Sequence, residues 1–119
     1  MQTLKNGQLT VVVSSHGAEL QSIRKNDTEY LWQGDPAFWG RRSPVLFPIV
    51  GSVWDGRYRA EGKEFHMGQH GFARDMDFAL VSSTETEVRY RLEYSEETLA
   101  KYPYPFVLEI AYRLRGNAI

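Results

Sequence analysis

In the run Phe106-Val107-Leu108-Glu109-Ile110-Ala111-Tyr112-Arg113-Leu114, every second residue is large and apolar. Glu109 and Arg113 fall between them. A period of two sends alternate side chains to opposite faces of an extended chain, so this run reads as a half-buried β-strand. The pattern recurs upstream, where Val88, Tyr90, Leu92 and Tyr94 interleave with Arg89, Arg91 and Glu93. Residues 9–14 are apolar on both faces and are expected in the middle of a sheet. Residues 18–24, 30–33, 57–60, 63–67 and 78–83 are weaker strand candidates.

Turn chemistry falls between these runs. Asn6-Gly7, Asp55-Gly56 and Gly116-Asn117 supply residues that tolerate positive φ. Glu61-Gly62 is a two-residue link, which makes 57–67 a hairpin. Only 95–102 reads as helix. Ser95 is placed to cap it, Glu96 and Glu97 suit the positive end of its dipole, and Pro103 stops it. The fold class expected is therefore all-β and antiparallel. Ala118 and Ile119, after the Gly116-Asn117 turn, read as the start of a return strand. The chain is thus expected to be part of a larger domain, and open strand edges make a homo-oligomer an expected partner state.

Composition narrows the function classes. The chain has 119 residues, 42% of them hydrophobic and 13% aromatic, which suits one packed domain or part of one. Fourteen Lys and Arg against 15 Asp and Glu leave a net charge of -1. That balance gives no electrostatic reason to expect nucleic acid or an anionic membrane as partner. With no cysteine, there is no disulfide framework and no thiolate metal site. The polar start lacks the apolar centre of a signal peptide, and no apolar run approaches the roughly 20 residues of a spanning helix. A cytoplasmic location is the default expectation.

Residues 30–75 concentrate the chemistry: all three tryptophans, Trp32, Trp39 and Trp54, together with His66 and His70. Rings near Arg, His and Asp suit a sugar, whose C–H faces pack on aromatics while its hydroxyls need fixed donors and acceptors. For any single ring, filling a β core is an equally good reading. His66 and His70 share a helical spacing, but the stretch reads as strand then loop with no third ligand, so no metal is expected.

Five motifs, in order, carry a family resemblance. They are Gly17-Ala18-Glu19-Leu20-Gln21-Ser22-Ile23, Glu29-Tyr30-Leu31-Trp32-Gln33-Gly34-Asp35-Pro36 with Phe38-Trp39, Arg42-Ser43-Pro44-Val45-Leu46-Phe47-Pro48-Ile49-Val50-Gly51, Gln69-His70-Gly71-Phe72-Ala73-Arg74-Asp75, and Tyr102-Pro103-Tyr104-Pro105-Phe106. Together they resemble the aldose 1-epimerases, and the arginine-bearing motif is also similar to that of glucose-6-phosphate 1-epimerases. The likeness covers nearly the whole chain.

The resemblance implies the N-terminal part of an antiparallel, mutarotase-like β-sandwich (the supersandwich) for residues 1–119. It implies an isomerase that interconverts the α and β anomers of an aldose without metal or organic cofactor. The family's glutamate base, histidine acid and hydroxyl-holding aspartate have no match here. The C-terminal catalytic part is therefore expected to be absent, and the chain alone to be inactive, with no catalytic residue of its own.

Arg42, His70 and Arg74 match substrate-binding positions, for a monosaccharide or a sugar phosphate. Asp75 would orient Arg74 or His70. On spacing alone, Arg42 beside Arg41 reads as a solvated charge, His70 as a turn histidine, and Arg74 as a partner of Asp75 or Asp77. A non-catalytic carbohydrate-binding module and a β-structural assembly domain are the alternatives to the isomerase.

Overall fold

A computed structural model describes residues 1–119. Four short strands open the chain: β1 (Gln2–Lys5), β2 (Thr10–Val13), β3 (Leu20–Lys25) and β4 (Thr28–Glu29). They pair in sequence order, all antiparallel. A hairpin follows, β5 (Arg57–Ala60) with β6 (Lys63–His66). The last sheet holds β7 (Ala79–Ser83), β8 (Glu87–Glu93) and β9 (Val107–Arg113), with β8 in the middle. One helical turn, α1 (Glu96–Leu99), links β8 to β9.

The alternation fixes which faces meet. Val88, Tyr90 and Leu92 of β8 are buried in one cluster with Leu4 of β1 and Val11 and Val13 of β2. Each such side chain contributes about 2 kcal/mol of transfer free energy when removed from water. The interleaved residues of β8 form an ion ladder on the other face. Arg91 lies 2.6 Å and Arg89 3.2 Å from Glu109 of β9, and Arg113 lies 2.7 Å from Glu87. The first and last sheets are also joined by the backbone, where the Lys5 N–H donates to the Glu85 carbonyl at 2.8 Å.

The hairpin forms as its link demands. Glu61 and Gly62 both take positive φ, 50° and 73°, the two-residue geometry whose twist matches paired strands. Asp55, Gly56 and Gly116 are left-handed as well, whereas Asn6 makes its turn with its side chain. The Asn6 Oδ1 accepts the Gln8 and Leu9 N–H groups, both at 2.8 Å. Ser95 caps α1 by accepting the Thr98 N–H, and the Thr98 hydroxyl accepts the Ser95 N–H in return. The helix is shorter than the 95–102 expected, ending in turns before Pro103.

Two expectations need correction. Residues 30–33 form no strand, because β3 pairs instead with Thr28–Glu29. The Glu29 carboxylate then accepts the Ser22 hydroxyl and the N–H groups of Ile23 and Leu31, which turns the chain off the sheet. Burial alone would raise the Glu29 carboxyl, but those donors outweigh it and hold it below the usual carboxylate range. Conversely, β1 lies in a start that reads as polar; its Leu4 alone is fully buried.

The body is a slab of 54 × 34 × 18 Å. Its radius of gyration is 16.4 Å, against about 13.5 Å for a compact domain of this length. No helix is long and apolar enough to cross a membrane.

Candidate functional site

Two loops cross at the site, and glycine permits the crossing. Gly71 takes φ 75°, and a Cβ there would stand 2.2 Å from the Phe47 carbonyl oxygen. Its absence lets residue 47 bridge residue 71 and lets the Phe72 and Ala73 N–H groups donate to that carbonyl at 3.0 and 3.2 Å. Behind the crossing, Phe47 packs against Phe72, Tyr102 and Phe106, with centroids 6.3, 6.3 and 5.0 Å away. The Tyr102-to-Phe106 motif thus supplies a supporting wall.

His70 sits at φ 62°, a left-handed conformation sparsely used by residues other than glycine. Its own N–H donates to the Gly51 carbonyl at 2.7 Å, and its Nδ1 accepts the Gly51 N–H at 2.8 Å. A backbone N–H can only donate, so the neutral ring must carry its proton on Nε2. His70 therefore offers a ligand a donor of fixed orientation.

Arg74 stands in the short 3-10 turn Ala73–Asp75. Its side chain is only 15% exposed; one terminal nitrogen donates to the Gln69 carbonyl at 2.9 Å, and Nε is buried with no acceptor. The Arg74 carbonyl packs on Gly17, where a Cβ would come within 2.7 Å of its oxygen. Asp75 lies 3.0 Å from Arg41 and 4.0 Å from Arg74. It steadies Arg41 first, Arg74 weakly, and makes no bond to His70. Asp77 is taken by His16, at 2.9 Å.

Arg42 is held through its backbone by a residue whose role the sequence did not disclose. Glu19 is 8% exposed, and its Oε1 accepts the N–H groups of Arg42 at 3.1 Å and Ser43 at 3.4 Å. The Ser43 hydroxyl donates to the Leu20 carbonyl at 3.1 Å, tying the same segment to β3. The Nε of Arg42 is buried without an acceptor, like that of Arg74. Its guanidinium runs close to Gly34, where a Cβ would lie 3.4 Å from Nη1.

His70 and Arg74 line one hollow of about 380 Å³ with Trp39, Pro44, Leu46 and Gln69. Arg42 is not in its wall. Of the three residues expected to share a cleft, the structure brings two together. A larger hollow of about 470 Å³ is lined by His66, Asp75, Glu97 and Lys101 among others and contains neither His70 nor Arg74. No group of three or more His, Asp or Glu residues is placed to hold a metal ion. Gln69 has no assignment in the sequence, and Trp39 stands there only as one of three tryptophans suited to a sugar; both lie within the family motifs.

The antiparallel, nearly all-β architecture matches galactose mutarotase-like structures. Residues 1–118 match the Aldose 1-epimerase family, and the chain belongs to that family. It is 40% identical to the chromosomal protein LacX of Lactococcus lactis subsp. lactis, covering 98% of this chain and 41% of that protein. Among solved structures, a galactose mutarotase related enzyme from Lactobacillus acidophilus is 43% identical with a TM-score of 0.96, over 98% of this chain and 39% of that one. A galactose mutarotase-like protein from Lactobacillus casei ATCC 334 is 38% identical with a TM-score of 0.93, over 97% and 40%. The chain thus spans about two-fifths of the length of these relatives.

Proposed function

We propose that residues 1–119 form the N-terminal, sugar-holding part of an aldose 1-epimerase. In the complete protein a monosaccharide would rest against His70 and Arg74 while the remaining sequence moves protons. Ring opening needs a base at the anomeric hydroxyl and an acid at the ring oxygen; the open aldehyde rotates and closes on its other face. Each positioned proton transfer contributes about a hundred- to ten-thousand-fold. Both groups are assigned to sequence outside this chain.

The part assigned here is binding and orientation. The Nε2–H of His70 donates to a sugar oxygen. The Arg74 fork holds two oxygens at once, on neighbouring hydroxyls or on a phosphate. Arg42, whose Nε is buried without an acceptor, lies outside that hollow and is given no contact with the ligand held there. The observation that carries this reading is the shared hollow of His70 and Arg74, each fixed by a backbone contact.

The test pairs binding with turnover. Galactose titrated against the 119-residue chain should bind, and Arg74→Lys should weaken binding about ten-fold, because a lysine cannot reproduce the fork. By polarimetry, residues 1–119 alone should not exceed spontaneous mutarotation, since losing one of a catalytic pair removes most of the rate. Full activity in the short chain would refute the assignment of the proton-moving groups. Failure to bind any aldose would refute the site.

A further inference from the structure

Trp39 is the only Trp, Tyr or Phe in the wall of the hollow that holds His70 and Arg74. It is 49% exposed, so burial does not explain its position. The loop that carries it is tightly braced. Asp35 accepts the Phe38 and Trp39 N–H groups on its carbonyl at 3.0 and 2.9 Å, and the Ala37 N–H on its carboxylate at 2.9 Å. The indole N–H of Trp32 donates to the Trp39 carbonyl at 2.8 Å, and the Trp32 ring meets Phe38 edge-on at 6.4 Å. Gly34, at φ 72°, brings the loop ends together; a Cβ there would lie 2.9 Å from the Gly40 carbonyl oxygen. The loop is a bracket that holds an indole at the hollow.

An indole offers a wide, electron-rich face and a single donor. Its complement is a flat ligand surface of C–H groups whose polar atoms lie around the edge. A pyranose has that form: ring C–H bonds on a face, hydroxyls at the perimeter. The same hollow is lined by His70, Arg74 and Gln69, whose side chains carry the donors that hydroxyls need. At about 380 Å³ it falls at the small end of the range for small-molecule sites, roughly 300–1,000 Å³. An open-chain polyol has the same hydroxyls but no rigid face.

We infer that Trp39 is the stacking platform of this site and selects ring-closed pyranoses over open-chain polyols. The inference rests on the sugar-binding reading above and adds to it a specificity residue. Galactose and galactitol are the probes, with the unchanged 119-residue chain, Trp39→Ala, Trp39→Phe and Trp54→Phe. The unchanged chain should bind galactose about five-fold more tightly than galactitol. Trp39→Ala should abolish that preference, Trp39→Phe should keep most of it, and Trp54→Phe, altering a 93% exposed ring outside the hollow, should change nothing.

Saturation-transfer NMR with irradiation of aromatic protons should reach the galactose ring protons more strongly in the unchanged chain than in Trp39→Ala. Galactose binding that Trp39→Ala leaves intact while His70→Ala abolishes it would overturn the inference and spare the site. Absence of galactose binding by the unchanged chain would overturn both. Should Trp39→Ala fold poorly, Trp39→Leu decides: loss of the preference for galactose supports the platform, and its retention with galactose bound refutes it.

Discussion

At Gly71 a single added methyl group would have to share space with the Phe47 backbone. The obstacle is a peptide carbonyl, which cannot rotate away as a flexible side chain would, and the φ of 75° penalises any Cβ as well. Gly71→Ala is expected to lower stability by more than about 2 kcal/mol in urea unfolding. It should also displace His70, since the same crossing holds Gly51 against the imidazole. Gly62→Ala, at similar φ but with open space around it, should cost less. How visible the site was in the sequence also divides by residue. His70 and Arg74 stood out because they sit in a motif. Glu19 did not, because a carboxylate that accepts backbone N–H groups leaves no period and no charged partner in the sequence. In the sequence Arg42 has the same standing as His70, yet only the folded loop reveals that it lies outside the wall of the hollow.

Among the elements, β8 and β9 were the most legible, since alternation runs their whole length and both faces have distinct work. The apolar face enters the core and the charged face forms the ladder. Short strands with one buried residue, such as β1, carry too few positions to show a period. Residues 30–33 misled for a different reason: side-chain capture of backbone N–H groups by Glu29 competes with strand pairing there. The ladder has a pH consequence. Hydrogen bonds from Arg91 and then Arg89 hold the Glu109 carboxyl below the usual range, and a hydrogen bond from Arg113 does the same for Glu87. Because these folded-state values are depressed, their stabilisation is present above the unfolded carboxylate range near 4.5. It fades as pH falls through the folded values. Glu109→Gln should therefore be less stable than the unchanged chain at neutral pH, and the difference should close on acidification. Urea midpoints measured across that range check it.

For the molecule as a whole, one contact that ties the last sheet to the turn between β2 and β3 is the Tyr112 hydroxyl, which donates to the Ala18 carbonyl at 2.7 Å. Ala18 is fully buried at φ 48°, so this carbonyl has no ready substitute. Tyr112→Phe is expected to cost about 1–2 kcal/mol through the orphaned acceptor. Burial, followed by the Glu19 charge and Tyr90, pushes the Tyr112 phenol up to about 12 from an ordinary 10.0. A raised value means the folded state keeps its proton longer than the unfolded chain. Stability is thus complete below 10 and is lost as pH climbs toward 12. Tyr112→Phe should show a shallower alkaline decline, with a remainder from Tyr58 and Tyr90, whose phenols burial also raises.

The slab's least dimension, 18 Å, sets a limit on shelter. No amide in so thin a plate can lie far from bulk water, so depth alone gives little protection against deuterium. Slow exchange must come from neighbouring hydrogen bonds opening together, and the central strand β8, paired along both edges, should be the last to surrender its protons.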